Sequence, residues 1–199
     1  MKVLIVSKTR MQKAVCVGGL ALDTNENIRL LNPGGSNQPA NTKFDVGQIW
    51  DIVYQPAPTK TPHVEDVFVY QEDFVGQQSN LRDFLLQKVT IWQGRPNQLY
   101  DGLLQIRNGR GYISEHTGIP QASVGFWVPD KALILSSDDR GKLYYSYGGD
   151  ILRLPYVGFM DMVQTIPAKS LIRVSLARWW APEGVNEKRC CIQISGWYL

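Results

Sequence analysis

Short apolar runs separated by turn-forming residues dominate this 199-residue sequence and most restrict the fold that it can adopt. Many runs alternate apolar and polar side chains, as half-buried β-strands do. Gly, Pro, Asn and Asp lie between them, where Gly allows positive φ and Pro presets a bend. The predicted strands cover residues 3–7, 14–21, 28–31, 49–54, 65–70, 126–128, 133–136, 142–147, 151–154, 170–177 and 189–197. The sequence therefore predicts a mainly β protein.

The C-terminal half of the sequence predicts two hairpins. Gly148-Gly149-Asp150 would join strands 142–147 and 151–154, because two glycines allow a tight turn between apolar runs. A longer hairpin would pair residues 170–180 with residues 189–197. In the strand 170–177 the polar residues alternate with apolar ones, which predicts a strand with one exposed face.

One stretch of the chain has a helical pattern. It begins after Ser79, a predicted N-cap, and a shorter segment at 98–106 adds a turn or two. Because this stretch differs from the β pattern on both sides, residues 79–118 are predicted to be a helical connector. It would join a β module at 1–78 to a second one at 119–199.

Composition excludes two classes of protein. With 44% hydrophobic and 11% aromatic residues, the chain has enough apolar material for a core and too much to remain disordered. No apolar run approaches the roughly 18 residues that a membrane-spanning helix needs, so neither a membrane partner nor a signal peptide is expected. The three cysteines, of which Cys190 and Cys191 are adjacent, do not suggest a disulfide framework. Reduced thiols indicate a cytoplasmic protein.

The formal net charge is only +3, so any phosphate-binding site must be local and assembled by folding. Lys8, Arg10 and Lys13 lie close together after the first strand and could hold a phosphate group. Arg29 lies in a strand expected to pair nearby and could share this face. The alternative is a solvated loop after an edge strand, with no ligand.

Aromatic and basic residues cluster in the second β module, where Trp179 and Trp180 follow Arg173 and Arg178. Adjacent residues of a strand point to opposite faces, so one Trp can fill the core while the other reaches the surface. Exposed aromatic rings beside Arg are suited to stacking on bases, with Arg holding phosphate. The alternative is core packing combined with a protein interface, where Trp, Tyr and Arg are also enriched.

The sequence predicts neither a catalytic site nor a metal site. His63 and Glu65 share one face of a strand and Asp66 follows, but there is only one other His and no second cluster with metal-ligand spacing. The adjacent Cys190 and Cys191 would point to opposite faces. Because no set of nucleophile, base and orienting group is recognisable, we expect no enzymatic activity and no cofactor.

Six motifs are distributed from the first strand to the last. They are Ser7-Lys8-Thr9-Arg10-Met11, Cys16-Val17-Gly18-Gly19-Leu20, Ile28-Arg29-Leu30-Leu31, Pro62-His63-Val64-Glu65-Asp66-Val67, Ser175-Leu176-Ala177-Arg178-Trp179-Trp180 and Gln193-Ile194-Ser195-Gly196-Trp197-Tyr198. Together with Cys190 they resemble the dual OB-containing domain family of prokaryotic conflict systems. The resemblance implies two small OB-like barrels and a role in sensing nucleic acid or nucleotides in defence, but it transfers no catalytic or binding residue.

The residues and the resemblance together predict two small OB-like β-barrels joined by a short helical connector. Such barrels bind on one sheet face and its flanking loops, and this inference rests largely on fold analogy. The expected function is non-enzymatic recognition of single-stranded nucleic acid or a nucleotide, with other defence-system proteins as further partners. The alternative is a protein-interaction module that presents its Trp- and Arg-rich surface to a partner subunit.

Overall fold

The protein is described by a computed structural model that covers residues 1–199, and the chain divides into two units, Met1–Val89 and Thr90–Leu199. About 50% of the residues are in strands and 8% in helices, so the prediction of a mainly β protein is confirmed. Each unit has its own cluster of buried apolar side chains.

The first unit contains a closed barrel. Its strands are β1 (Lys2–Arg10), β2 (Ala14–Ala21), β3 (Asn27–Leu31), β4 (Gln38–Pro39), β5 (Gln48–Pro56) and β6 (Asp66–Gln77). The sheet order is β1-β5-β6-β3-β2-β4, and β1 also pairs with β2. This additional pairing closes β1, β2, β3, β5 and β6 into a ring, in which only β3 and β6 run parallel.

Alternation along the strands fills the interior of this barrel. Val3 and Ile5 of β1 pack with Val17 of β2 and Leu30 of β3 in one buried cluster. Burying a branched side chain of this size stabilises the fold by about 1.5–3 kcal/mol. Gly19 lies so close to Val3 and Leu30 that there is no room for a side chain at that position.

The helix predicted after Ser79 is present as α1 (Leu81–Lys88), at the end of the first unit. Its N-cap is Asn80 rather than Ser79, because the Asn80 side chain accepts a hydrogen bond from the Asp83 N–H at 3.3 Å. Asn and Ser are equally favourable at this position, so the sequence pattern alone could not separate them. No helix in the structure is long and apolar enough to cross a membrane.

The second unit contains a ten-stranded sheet. Its strands are β7 (Ile91–Gly94), β8 (Gln105–Arg107), β9 (Arg110–Ser114), β10 (Val124–Pro129), β11 (Leu133–Ser137), β12 (Leu143–Tyr147), β13 (Leu152–Pro155), β14 (Thr165–Ile166), β15 (Leu171–Leu176) and β16 (Arg189–Tyr198). The order is β14-β11-β12-β13-β9-β16-β15-β10-β7, and β8 pairs with β9. Unlike the ring of the first unit, this order does not return to its first strand.

Both predicted hairpins are present in the second unit. β12 pairs with β13, and β15 pairs with β16. The expected exposed face of β15 is absent, however, because all six of its residues are buried. Both faces of β15 are therefore covered, and Arg173 and Ser175 are buried together with their apolar neighbours.

One core cluster joins side chains from both halves of this sheet. Tyr145 and Leu154, from β12 and β13, pack in the same cluster as Ile172 of β15 and Trp197 of β16. The rings of Tyr145 and Trp197 meet edge to face, with centroids 5.5 Å apart. Aromatic pairs of this kind add about 0.5–1.5 kcal/mol beyond the area that they bury.

The stretch predicted as a helical connector, 79–118, is divided between the two units. It contains α1 and a 3₁₀ helix, Pro96–Gly102, and also the strands β7, β8 and β9. The boundary between the units lies directly after α1, at Val89 and Thr90. β9 belongs to the second sheet because it pairs with β8 along one edge and with β16 and β13 along the other.

Candidate nucleic-acid interface

The first group of predicted cations surrounds the β1–β2 turn. Arg10 ends β1, Lys13 precedes β2, and both side chains are exposed together with Met11 between them. The turn is closed by a hydrogen bond from the Met11 N–H to the Ala14 carbonyl at 3.1 Å. The fold therefore holds Arg10 and Lys13 at one solvent-facing end of the barrel.

Lys8 and Arg29, the other two predicted cations of the first unit, are paired with carboxylates. Lys8 donates from Nζ to Asp45 Oδ1 at 2.7 Å. The Arg29 guanidinium makes a bidentate contact with Asp66, and both side chains are largely buried. Burial alone would lower the pKa of Arg29, but the hydrogen bond with Asp66 and neighbouring negative charges raise it overall.

The Arg29–Asp66 ion pair lies where the barrel closes. The two residues are register partners in the parallel pairing of β3 with β6, the pairing that completes the ring. Removing one partner of a largely buried ion pair leaves the other charge uncompensated. Arg29 therefore stabilises the barrel and is not available to a phosphate ligand.

Arg173 also lies away from solvent. Its side chain is only 3% exposed and donates from Nη1 to Ser195 Oγ at 3.0 Å. The Ser195 hydroxyl in turn donates to the Arg173 carbonyl at 3.1 Å. Because the side chain is buried and hydrogen-bonded to β16, Arg173 forms no part of a surface site.

The remaining predicted residues lie just beyond β15, and the structure distinguishes the two tryptophans. Trp179 packs against the core of the second unit, whereas Trp180 is 55% exposed. Arg178 is also exposed. Trp180 is held in extended backbone by two hydrogen bonds with Arg189, of 2.9 and 2.7 Å. The two adjacent side chains thus point to opposite faces, with Trp179 toward the core and Trp180 toward solvent.

The neighbours of Trp180 include residues that the sequence analysis did not select. Arg189 is the bridge partner of Trp180, and its guanidinium lies 4.4 Å from the ring centroid of Tyr112 on β9. Glu187 pairs with Arg189 and accepts a hydrogen bond from Ser114 at 2.6 Å. These contacts link polar and aromatic groups on the strand that pairs with Trp180.

The residues considered for metal binding and thiol chemistry are buried or partly buried. His63 and Glu65 are buried, and no group of three or more His, Cys, Asp or Glu side chains is placed to hold a metal ion. Burial raises the pKa of the Cys190 thiol to about 12 and also raises that of Cys191. Both thiols are therefore protonated at neutral pH, which does not favour nucleophilic chemistry.

The geometry and the family comparison agree on the class of protein. A closed five-strand barrel whose third strand runs parallel to its fifth, as β3 and β6 do, is an OB-fold. The model of the dual OB-containing domain family matches residues 1–197, and the chain belongs to this family. No curated protein and no solved structure shows significant similarity to it.

Proposed function

We propose that the protein binds single-stranded nucleic acid and does so without catalysing a reaction. OB-folds bind strands on one sheet face and through flanking loops, including the loop that joins their first two strands. In this barrel that loop is the β1–β2 turn, where Arg10 and Lys13 are exposed. Two cations at this position would contact the phosphate backbone.

The exposure of Trp180 is the observation that most supports this proposal. The indole is 55% exposed, and Trp180 lies two residues after Arg178 and opposite Arg189, its bridge partner. Base–aromatic stacking contributes about 1–3 kcal/mol per base, and it tolerates any sequence because every base has a π-face. Trp180 would stack on a base while Arg178 contacts the adjoining phosphate.

A second candidate function, protein interaction, is favoured by a different surface. The β5–β6 hairpin carries several large apolar side chains that are exposed. These are Val53, Tyr54, Tyr70, Phe74 and Val75. A group of exposed apolar side chains on one hairpin is typical of a docking site for another protein. A protein partner on this hairpin is compatible with a nucleic acid at Trp180.

The biological setting that we propose follows from the family resemblance. We place the protein in the cytoplasm of a prokaryote, as the recognition component of a defence system in which other proteins respond to the bound strand. The three unpaired cysteines support a reducing compartment. The β5–β6 hairpin is the surface that we assign to those partner proteins.

The test is a fluorescence anisotropy titration with labelled single-stranded DNA and RNA of about 12 nucleotides, within the usual site size of an OB-fold. We expect saturable binding that weakens as salt increases, because phosphate contacts release counterions. Trp180→Ala should weaken binding by about 1–3 kcal/mol, and Trp180→Phe should retain much of it. Absence of binding to both polymers at low salt would reject the proposal in favour of protein interaction.

A further inference from the structure

The second unit has a cleft that the proposed function does not use. It encloses about 280 Å³ on the outer face of the sheet, close to the lower end of the range for small-ligand pockets, about 300–1,000 Å³. Most of its side chains come from β9, β12, β13 and β16. They include Arg110, Lys142, Tyr144, Arg153 and Cys191. A cleft of this size suits a small group or the end of a larger ligand.

Three arginines form a row across neighbouring strands because of a tight turn, and two of them, Arg110 and Arg153, line this cleft. Asn108 and Gly109 both have positive φ, 51° and 74°, and join β8 to β9 as a two-residue hairpin loop. Arg107 and Arg110 are therefore register partners, and Arg110 is also the partner of Arg153 on β13. Cross-strand partners project from the same face of a sheet. The fold thus places three guanidinium groups on neighbouring strands.

The charges in this row are not balanced by carboxylates. Neither Arg107 nor Arg110 makes an ion pair, and Lys142 makes none through its ammonium group. Arg153 alone contacts a carboxylate, that of Asp150, with Nη2 and Oδ2 3.5 Å apart. Like charges directly opposite one another on a sheet are destabilising. An anion in the cleft would relieve this repulsion.

Asp138, the one acidic residue that lines the cleft, stabilises a turn. Asp138 Oδ1 accepts hydrogen bonds from the backbone N–H groups of Arg140 and Lys142, at 3.0 and 2.9 Å. These N–H groups and nearby cations lower the pKa of Asp138, so it remains ionised. One such carboxylate faces the cations of Arg110, Lys142 and Arg153, and the lining keeps an excess of positive charge.

The orientation of Arg153 is set before any ligand arrives. Its guanidinium lies 5.4 Å from the ring centroid of Tyr144, and its Nε lies against the turn at Gly109. Its backbone N–H donates to the Gly109 carbonyl at 2.7 Å. A planar guanidinium fixed in this way can donate two parallel hydrogen bonds to a phosphate, which is a geometry that Lys cannot supply.

From this geometry we infer that the cleft is a phosphomonoester site, in which Arg110 and Arg153 hold the phosphate group and Lys142 adds a third positive charge. A phosphomonoester is a compact anion with three acceptor oxygens. The group can belong to a mononucleotide or to the phosphorylated end of a nucleic-acid strand. The site is distinct from Trp180 and does not depend on the stacking proposed there.

The test is calorimetric titration of the full chain with adenosine 5′-monophosphate, inorganic phosphate and adenosine. We expect the two phosphate compounds to bind and adenosine not to bind. Arg110→Gln should weaken binding of the monophosphate by about tenfold or more, because it removes a charged hydrogen-bond donor from the phosphate. Lys2→Gln removes one exposed charge from the first unit and should change nothing.

Arg107→Gln is the second variant, since this exposed side chain lies outside the cleft lining and its loss should not affect folding. It should weaken binding of the monophosphate less than Arg110→Gln does. Thermal melts of each variant exclude unfolding as the cause. Equal binding by the wild-type protein and Arg110→Gln, or no binding of either phosphate compound, would overturn the inference.

A pair of oligonucleotides identifies the source of the phosphate. If the site reads strand ends, a 5′-phosphorylated strand should bind more tightly than the same strand with a 5′-hydroxyl, and Arg110→Gln should abolish the difference. If it reads mononucleotides, the two strands should bind equally while the free monophosphate still binds. If Arg110→Gln changes no binding while Trp180→Ala still weakens oligonucleotide binding, the phosphate site is rejected and the proposed function stands.

Discussion

The two units use their positive charges differently. In the barrel of the first unit, Lys8 and Arg29 are paired with Asp45 and Asp66. In the sheet of the second unit, the strand register aligns Arg107, Arg110 and Arg153, of which only Arg153 contacts a carboxylate. Cations that look alike in sequence therefore have separate roles, and the register of neighbouring strands determines which role each takes.

The largest expected effect concerns the ion pair of the barrel. Arg29→Ala should lower the free energy of unfolding by about 3 kcal/mol, because Asp66 is left largely buried without its partner. Arg110→Ala, the matched change in the second unit, should shift it by less than about 0.5 kcal/mol. Urea denaturation of both variants measures the contrast. Equal effects would show that the two arginines do not differ in role.

The paired tryptophans provide a second contrast, within one unit. Trp179→Ala should destabilise the protein by about 2 kcal/mol, which is less than the 3–5 kcal/mol of a fully buried Trp because this ring is only partly buried. Trp180→Ala should leave the melting temperature nearly unchanged and weaken oligonucleotide binding. Melts and titrations on the same samples separate the two effects. Loss of stability in both variants with unchanged affinity would assign the pair to packing.

The strand pattern of the sequence was informative about the fold because alternation and turn residues are local signals. Eleven strands could be predicted, each overlapping a strand of the structure. β9 was missed because Gly109 precedes it and Gly111 lies within it, and such clusters usually mark loops. Asn108-Gly109 is nevertheless the strongest short hairpin signal, and it could have placed Arg107 opposite Arg110.

The candidate site was harder to predict because ion pairing depends on distant residues. Nothing near Arg29 in sequence indicates that Asp66 lies beside it, since the two meet only when the barrel closes. Arg173 is a similar case, because both faces of β15 are covered in the folded protein, which the alternation of polar and apolar residues along β15 does not indicate. The alternation at Trp179 and Trp180 is local, so that part of the site could be anticipated.

The β1–β2 turn gives a smaller effect that sharpens the comparison. Replacing Arg10 and Lys13 together by Gln should reduce the salt dependence of oligonucleotide binding, with the slope of log K against log salt falling by about 1.4 for two lost contacts. Stability should change little because both side chains are exposed. Titrations at four salt concentrations would measure the slope. An unchanged slope would show that the oligonucleotide binds elsewhere on the protein.

The smallest effect expected is a pH dependence at Glu187. Hydrogen bonds from Ser114 and Arg189 hold its pKa below the ordinary carboxyl value in the folded protein. A lowered folded-state pKa stabilises the fold above the unfolded-state value, and this contribution is lost as the pH falls through the folded-state pKa. Glu187→Gln should therefore reduce the loss of stability on acidification, whereas the exposed Glu183→Gln should not. Identical acid denaturation curves would contradict this assignment.

Ultraviolet crosslinking of a single-stranded oligonucleotide, followed by mass spectrometry of the attached peptides, tests the central claim most directly. The account predicts a crosslink at Trp180, with further attachment near Arg10 and Met11, and none at the buried Arg173. Trp180→Phe should reduce the yield at that position without unfolding the protein. Attachment confined to the β5–β6 hairpin, or a yield at Trp180 no greater than at residues far from both predicted surfaces, would contradict it.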